Sequence, residues 1–224
     1  MAAFDFGRKI DDAVIDSLLS REYDPDFGAA LRKGMEMFKE HIGEFAGFTL
    51  ILMLVSALSS RLAGGSSLIV SIASIPLFAG FMIGTFRLLA GHELHFNDLF
   101  SGYRYFLPLA LAGMASSLIV AAGMVLLIVP GIYFLVSYLF VSALVVDYGM
   151  EFWQAMETSR KLVSRHWLRL FVFVLLILSI NLLGLLALGI GLLVTIPVTS
   201  CAVAVVYRSI AGDRGPSGEV NRIS

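Results

Sequence analysis

Charge is what this 224-residue chain has least of. Asp, Glu, Lys and Arg together make up 15% of it, against 58% hydrophobic residues, and the mean hydropathy is +0.87. A soluble domain of this length has no core large enough to hide so much apolar surface, so lipid is expected to be the solvent for most of it. Cysteine is almost absent as well: Cys201 is the only one and lies inside an apolar run, which excludes a disulfide framework. A net charge of -1 with no basic block gives no sign of nucleic-acid binding. The charged N-terminal region lacks the apolar stretch of a signal peptide, so no cleavable leader is expected.

In place of charge the chain has long apolar runs and an internal repeat. Ser74–Gly91, SIPLFAGFMIGTFRLLAG, returns at an offset of 121 (195 − 74) as Thr195–Gly212, TIPVTSCAVAVVYRSIAG. Ile75/Ile196, Pro76/Pro197, Arg87/Arg208, Ala90/Ala211 and Gly91/Gly212 are identical. Each copy reads as a membrane-spanning helix leaving the bilayer, with Arg87 or Arg208 among the headgroups and a glycine as C-terminal stop.

Taken in order, residues 1–26 form an N-terminal segment with a short amphipathic pattern at Ile10, Val14 and Leu18. Asp24-Pro25 has the form of a helix cap followed by proline at the first helical position. Phe27, Leu31, Phe38 and Ile42 then form one apolar stripe, expected to lie at the membrane interface and to feed a first span at about 45–60. A second span follows at about 68–89, and a polar connection with Phe96, Phe100 and Tyr103 leads onward. Phe106–Val146 holds no charged residue and is broken by Pro130-Gly131, so it is long enough for two spans, at about 106–128 and 131–146. A second interfacial stripe, Phe152, Met156, Val163 and Trp167, precedes spans at about 168–187 and 190–207, and 213–224 reads as a flexible tail.

The two stripes also match each other. At an offset of 125 (152 − 27), Phe27/Phe152, Ala30/Ala155 and His41/His166 coincide. The repeat is therefore an interfacial helix plus a helical hairpin, with Phe96–Val146 as a more diverged third copy. The expected fold is all-α: a polytopic membrane protein of about six spans built from three such units, in residues 27–212. Of the 16 Lys and Arg residues, 15 fall on the side of both termini and only Arg61 on the other. That asymmetry places both termini in the cytoplasm and the protein in the cytoplasmic membrane.

Chemistry is limited by a further absence. No Asp, Glu, Lys, Arg or His lies deep in any of the six expected spans. Intramembrane charge is normally kept for proton relay or ion coupling, so a proton-coupled pump or an ion-selective channel is disfavoured. What remains is Asn181 with scattered Ser and Thr, such as Ser71, Ser116, Ser117, Thr195 and Thr199, read first as helix-packing groups. Gly80 and Gly84, and Gly113, Ser117 and Ala121, form small-residue faces for packing within the chain. His92, Glu93, His95 and Asp98 form the one cluster with metal-ligand chemistry, but the spacing is not His-Glu-x-x-His and they sit in a polar connection. No nucleophile elbow, phosphate-cradling loop or paired carboxylate appears, so neither an enzyme nor a cofactor or metal is expected.

The stretches Leu99–Pro108, Leu127–Trp167 and Gly191–Gly212 resemble a broad group of uncharacterised prokaryotic membrane proteins. It includes YciC-like proteins and the membrane domain attached to some glycerophosphodiester phosphodiesterases. The likeness rests on Pro130-Gly131-Ile132-Tyr133, on Val145-Val146-Asp147, and on Glu151, Ala155 and Ser159 in an amphipathic helix. It implies topology and packing, and no catalytic residues, because the phosphodiesterase catalytic domain is absent from the sequence. From these features the expected role is a non-catalytic scaffold or accessory protein, organising lipids or a protein partner at the inner leaflet. The alternative is a small transporter, or the membrane subunit of one, for a neutral or lipid-like solute. A cleft lined by Asn181, Ser and Thr would favour the alternative, and a close-packed bundle the scaffold.

Overall fold

The computed structural model of the protein describes residues 9–20, 25–61, 65–187 and 189–212. Among these are ten α-helices, one 3₁₀ segment and no strand. They are α1 (Asp12–Leu19), α2 (Phe27–Glu40), α3 (Ile42–Arg61), α4 (Gly65–Leu89), the 3₁₀ segment (Phe96–Tyr105), α5 (Phe106–Leu126), α6 (Ile128–Ser137), α7 (Val141–Tyr148), α8 (Phe152–Ser164), α9 (Trp167–Leu186) and α10 (Leu192–Ala211). Stretches within α4, the 3₁₀ segment with α5, α6 with α7, α9, and α10 are each long and apolar enough to cross a membrane. The bent pair α2–α3, turned through 98°, passes that test only as one unit. The polytopic all-α fold expected from the sequence is the fold observed. Asp24 and the expected tail 213–224 lie outside the described residues.

Three units are visible: α2–α3–α4, the 3₁₀ segment with α5 and α6–α7, and α8–α9–α10. Backbone landmarks recur in each. The residue joining the short segment to its first long helix is His41 (φ −128°, ψ 44°), Tyr105 (φ −104°, ψ 25°) or His166 (φ −130°, ψ 39°). The second long helix of each unit stops at a glycine with positive φ: Gly91 (77°), Gly149 (66°) or Gly212 (76°). Only glycine takes that conformation without steric cost, which is why these three positions end their helices.

The units close into a ring. The short segment of each packs on the second long helix of the unit before it: the 3₁₀ segment on α4, α8 on α6 and α7, and α2 back on α10. One residue sits at each of these crossings. A Cβ on Gly34 would lie 2.7 Å from the Val198 carbonyl oxygen, and one on Gly102 would overlap the Pro76 carbonyl oxygen. At the third crossing the residue equivalent to Gly34 is Ser159 (34 + 125), and its hydroxyl enters the partner helix. Ser159 Oγ donates to Ser137 O (2.7 Å) and accepts from Phe140 N–H (3.3 Å).

That third crossing falls where α6 ends and α7 has yet to begin. The proline-to-glycine interval is 15 residues in α4 (91 − 76) and in α10 (212 − 197), but 19 in the middle unit (149 − 130). The four extra residues are accommodated by the break at Tyr138–Phe140, and Ser159 satisfies two of the backbone groups exposed there. Irregular backbone at membrane depth survives only where protein or a cavity supplies such partners. Ser159→Ala is therefore expected to destabilise the protein by ~1–3 kcal/mol, the usual cost of orphaning buried polar groups. It should also speed hydrogen exchange at the Phe140 amide. Unchanged exchange there would show that Ser159 does not hold the break.

Burial separates inner from outer helices. About half of each second helix is buried, 50% for α4, 44% for α6–α7 and 56% for α10, against 22% for the spans built on α5 and α9. The second helices thus form the centre of the ring. The first helices present Leu50, Leu54, Leu118, Leu178 and Leu182 outward, as a lipid-facing surface requires. At the centre Cys201 is fully buried, with Thr85 Oγ1 3.2 Å from its sulfur.

Several local expectations are corrected. The cap of α2 is Asp26, whose carboxylate accepts from Ala29 N–H (2.9 Å), so the described cap falls two residues after Asp24. Pro76 lies inside α4, eleven residues from its first (76 − 65), as the span expected at about 68–89 requires. Phe96–Tyr105 is a 3₁₀ segment whose buried residues, Leu99 and Gly102, are three apart, matching its three-residue turn. In the face Gly113, Ser117 and Ala121 only Gly113 packs inward, against Ile75, while Ser117 and Ala121 are exposed.

Candidate functional site

An open cleft of about 320 Å³ lies between α9 and the inner helices. Phe78 and Met82 of α4, Leu139 and Ser142 beside the α6–α7 break, Ile177 and Asn181 of α9, and Ile196, Thr199, Ser200 and Val203 of α10 form its walls. The break places Leu139 and Ser142 there, so the four surplus residues of the middle unit contribute directly to the cleft. No wall residue is ionisable.

The polar groups in the cleft are partly committed. Asn181 Nδ2 donates to Ile177 O (3.0 Å) and to Thr199 Oγ1 (3.1 Å), which fixes the orientation of the amide. Thr199 Oγ1 in turn donates to Thr195 O (2.7 Å). Asn181 Oδ1 is buried and has no hydrogen-bond partner. Thr49, Thr85 and Ser179 quiet their hydroxyls on the carbonyl four residues behind, the usual solution in an apolar helix. Ser142 and Ser200, both half-buried, make no such bond. Ser142 lies just past the break, in the first turn of α7.

The charged end of the bundle is held differently. The repeat-equivalent arginines are both paired inside the chain: Arg87 Nε lies 3.2 Å from Asp98 Oδ2, and Arg208 Nη2 3.2 Å from Asp147 Oδ1. The Arg208 guanidinium also lies 4.3 Å above the Phe86 ring, and Tyr207 donates to Asp147 Oδ2 (3.0 Å). On α8, Arg160 chelates Glu157 through contacts of 2.9 and 2.7 Å, which holds the Glu157 carboxyl below its ordinary range. A depressed carboxylate contributes stability at neutral pH and loses it as pH falls through its folded value, so this pair loosens in acid. Asp98 accepts from the His95 N–H (2.9 Å), and among the described residues no three His, Cys, Asp or Glu side chains converge as metal ligands.

The residues expected at the membrane interface are mostly packed against protein. Phe38, Met156 and Val163 are buried, and Phe27, Leu31, Phe152 and Trp167 are half-buried against the main core. Phe27 stacks on Phe173 (4.7 Å between centroids) and Trp167 on Phe171 (5.1 Å). Ile42, 52% exposed, is the outward member of the set. Sequence reasoning singled out Asn181 and Thr199 but missed Ser142 and Ser200. The unequal proline-to-glycine intervals were the available signal for the break that exposes Ser142.

A ring of helical hairpins, apolar outside and carrying a small uncharged cleft, defines an integral membrane protein. No family model, no curated protein and no solved structure matches the chain.

Proposed function

We propose that the protein is a non-catalytic membrane component that holds an uncharged or lipid-like solute in this cleft, as a small transporter or the membrane subunit of one. The observation that carries this reading is the broken α6–α7 helix. It is the one second helix of the three that departs from the repeat, and its departure forms a wall of the cleft. Broken helices beside a midplane site are how many repeat-built transporters expose polar groups in a bilayer. The lack of any ionisable wall residue favours a neutral solute. The scaffold reading keeps one point of support, the concentration of cations at one end, since anionic headgroups attract such surfaces. Its apolar stripes, however, are largely occupied in closing the ring.

Native mass spectrometry of the protein extracted gently from its own membrane distinguishes the two. A small-molecule or single-lipid adduct at unit stoichiometry is the expected result. A co-purifying protein with no such adduct would overturn the transporter reading in favour of the scaffold.

A further inference from the structure

Toward the charged end of the bundle the cleft is sealed by side chains alone. We propose that Phe86, Phe140 and Tyr207 form a gate there, latched by Asp147 and Arg208, through which a solute in the cleft reaches that end. This goes beyond the reading above and rests on it. Phe78, Met82 and Phe86 follow at four-residue spacing on α4, so the face that lines the cleft continues into the seal. Val203 and Tyr207 repeat that register on α10, and Phe86 and Tyr207 are equivalent in the repeat, at its offset of 121 (207 − 86). Their rings meet at 5.6 Å between centroids, one turn beyond Met82 and Val203. Phe140 closes the third side, 5.8 Å from the Tyr207 ring. Phe140 and Tyr207 are fully buried and Phe86 nearly so.

The seam that these rings fill is what lets the seal open. α4 packs on both α7 and α10, whereas α7 and α10 stand apart and are joined by side chains. Asp147 of α7 holds that seam shut through two residues of α10. Arg208 Nη2 lies 3.2 Å from its Oδ1, and the Tyr207 hydroxyl donates to its Oδ2 (3.0 Å). Rotation of a few side chains therefore opens the seam without unpacking a helix. The latch is also incompletely satisfied, since Arg208 Nε is buried without a hydrogen-bond partner. Sideways, by contrast, the cleft is open, with Phe78 51% exposed at its edge. One open route and one closed route are what alternating access requires.

The test uses the full-length protein in proteoliposomes oriented with the charged end outward, carrying a thiol on the cleft wall from Ser142→Cys. The probe is a membrane-impermeant charged methanethiosulfonate, and labelling is followed by peptide mass spectrometry. The introduced thiol should react far more slowly than one from Ser17→Cys, an exposed position on α1. Tyr207→Phe keeps the ring but loses the hydrogen bond to Asp147. It should raise the rate at Ser142→Cys about tenfold, as losing one bond to a charged group shifts a two-state equilibrium. Phe86→Ala should raise it further by leaving a hole in the seal. Cys201, fully buried and not a cleft wall, is the internal reference and should stay unreactive throughout. Labelling of Ser142→Cys at the Ser17→Cys rate would show that no seal exists and overturn the inference. That comparison needs neither seal variant, so it stands even where one fails to fold. No acceleration in either variant would overturn the gate as well, and equal acceleration at Cys201 would show general loosening in its place. The adduct measured by native mass spectrometry is independent of these rates, so the cleft reading stands or falls separately.

Discussion

Alanine at Gly80 or Gly102 should prevent the protein from assembling into its native ring. A Cβ on Gly80 would overlap the carbonyl oxygen of Leu99, and one on Gly102 the carbonyl oxygen of Pro76. Both obstructions are backbone atoms, so neither can rotate aside as the tip of a side chain could. The 3₁₀ segment and α4 would have to separate along their whole contact, which also uncovers Leu99, a residue with no exposure in the native state. Overpacking of this kind costs on the order of 3 kcal/mol or more, a large share of the stability of any domain. Gly34→Ala, facing Val198 O at 2.7 Å on the α2–α10 crossing, should lower stability by less. Gly43→Ala is the control, because a Cβ there meets nothing within 4 Å. Thermal unfolding of the detergent-purified variants measures all four. If Gly80→Ala melted with Gly43→Ala, the close crossing described here would be wrong.

The fold was legible to the extent that lipid dictates it. Apolar runs of sufficient length, the glycine stops at Gly91 and Gly212, and the matched Phe27/Phe152 and His41/His166 pairs gave the hairpins and the repeat. These signals are one-dimensional, so periodicity carries them. The partner of each apolar stripe was not legible. An amphipathic helix has the same pattern whether its apolar face meets headgroups or another helix, and only Gly34, Gly102 and Ser159 reveal the difference. Their role depends on what crosses them, which no spacing reports. The 3₁₀ form of Phe96–Tyr105 escaped for a related reason, since a stripe at Phe96, Phe100 and Tyr103 fits the α period while burial follows Leu99 and Gly102.

The cleft was half legible. Asn181 stands out in an apolar helix wherever it points, so sequence alone marks it. Ser142 and Ser200 do not stand out, because serine in a membrane helix is ordinarily silenced by a backbone carbonyl. What exempts Ser142 is local, the broken helix before it. The exemption is a consequence of tertiary structure, and the interval of 19 residues against 15 is its only trace in the sequence.

Removal of the Asp147 carboxylate is expected to cost far more than removal of Asp98, although the arginines they bind are equivalent in the repeat. Asp147 and Arg208 side chains are 7% and 17% exposed, and the guanidinium is further enclosed by Phe86. Asp147→Ala leaves a cation with little access to water and one carboxylate fewer, a change that costs ~3–5 kcal/mol where such pairs are buried. Asp98 and Arg87 are 19% and 41% exposed, so solvent screens them and Asp98→Ala should cost no more than ~1 kcal/mol on account of the ion pair. The double variant Asp147→Leu with Arg208→Met should recover much of the loss, because an apolar pair of similar volume often replaces a buried ion pair without penalty. Melting temperatures of the two single variants and the double variant decide the matter. Equal losses at Asp98 and Asp147 would mean that burial does not govern these arginines, and that Arg208 reaches water by a route its surroundings do not provide.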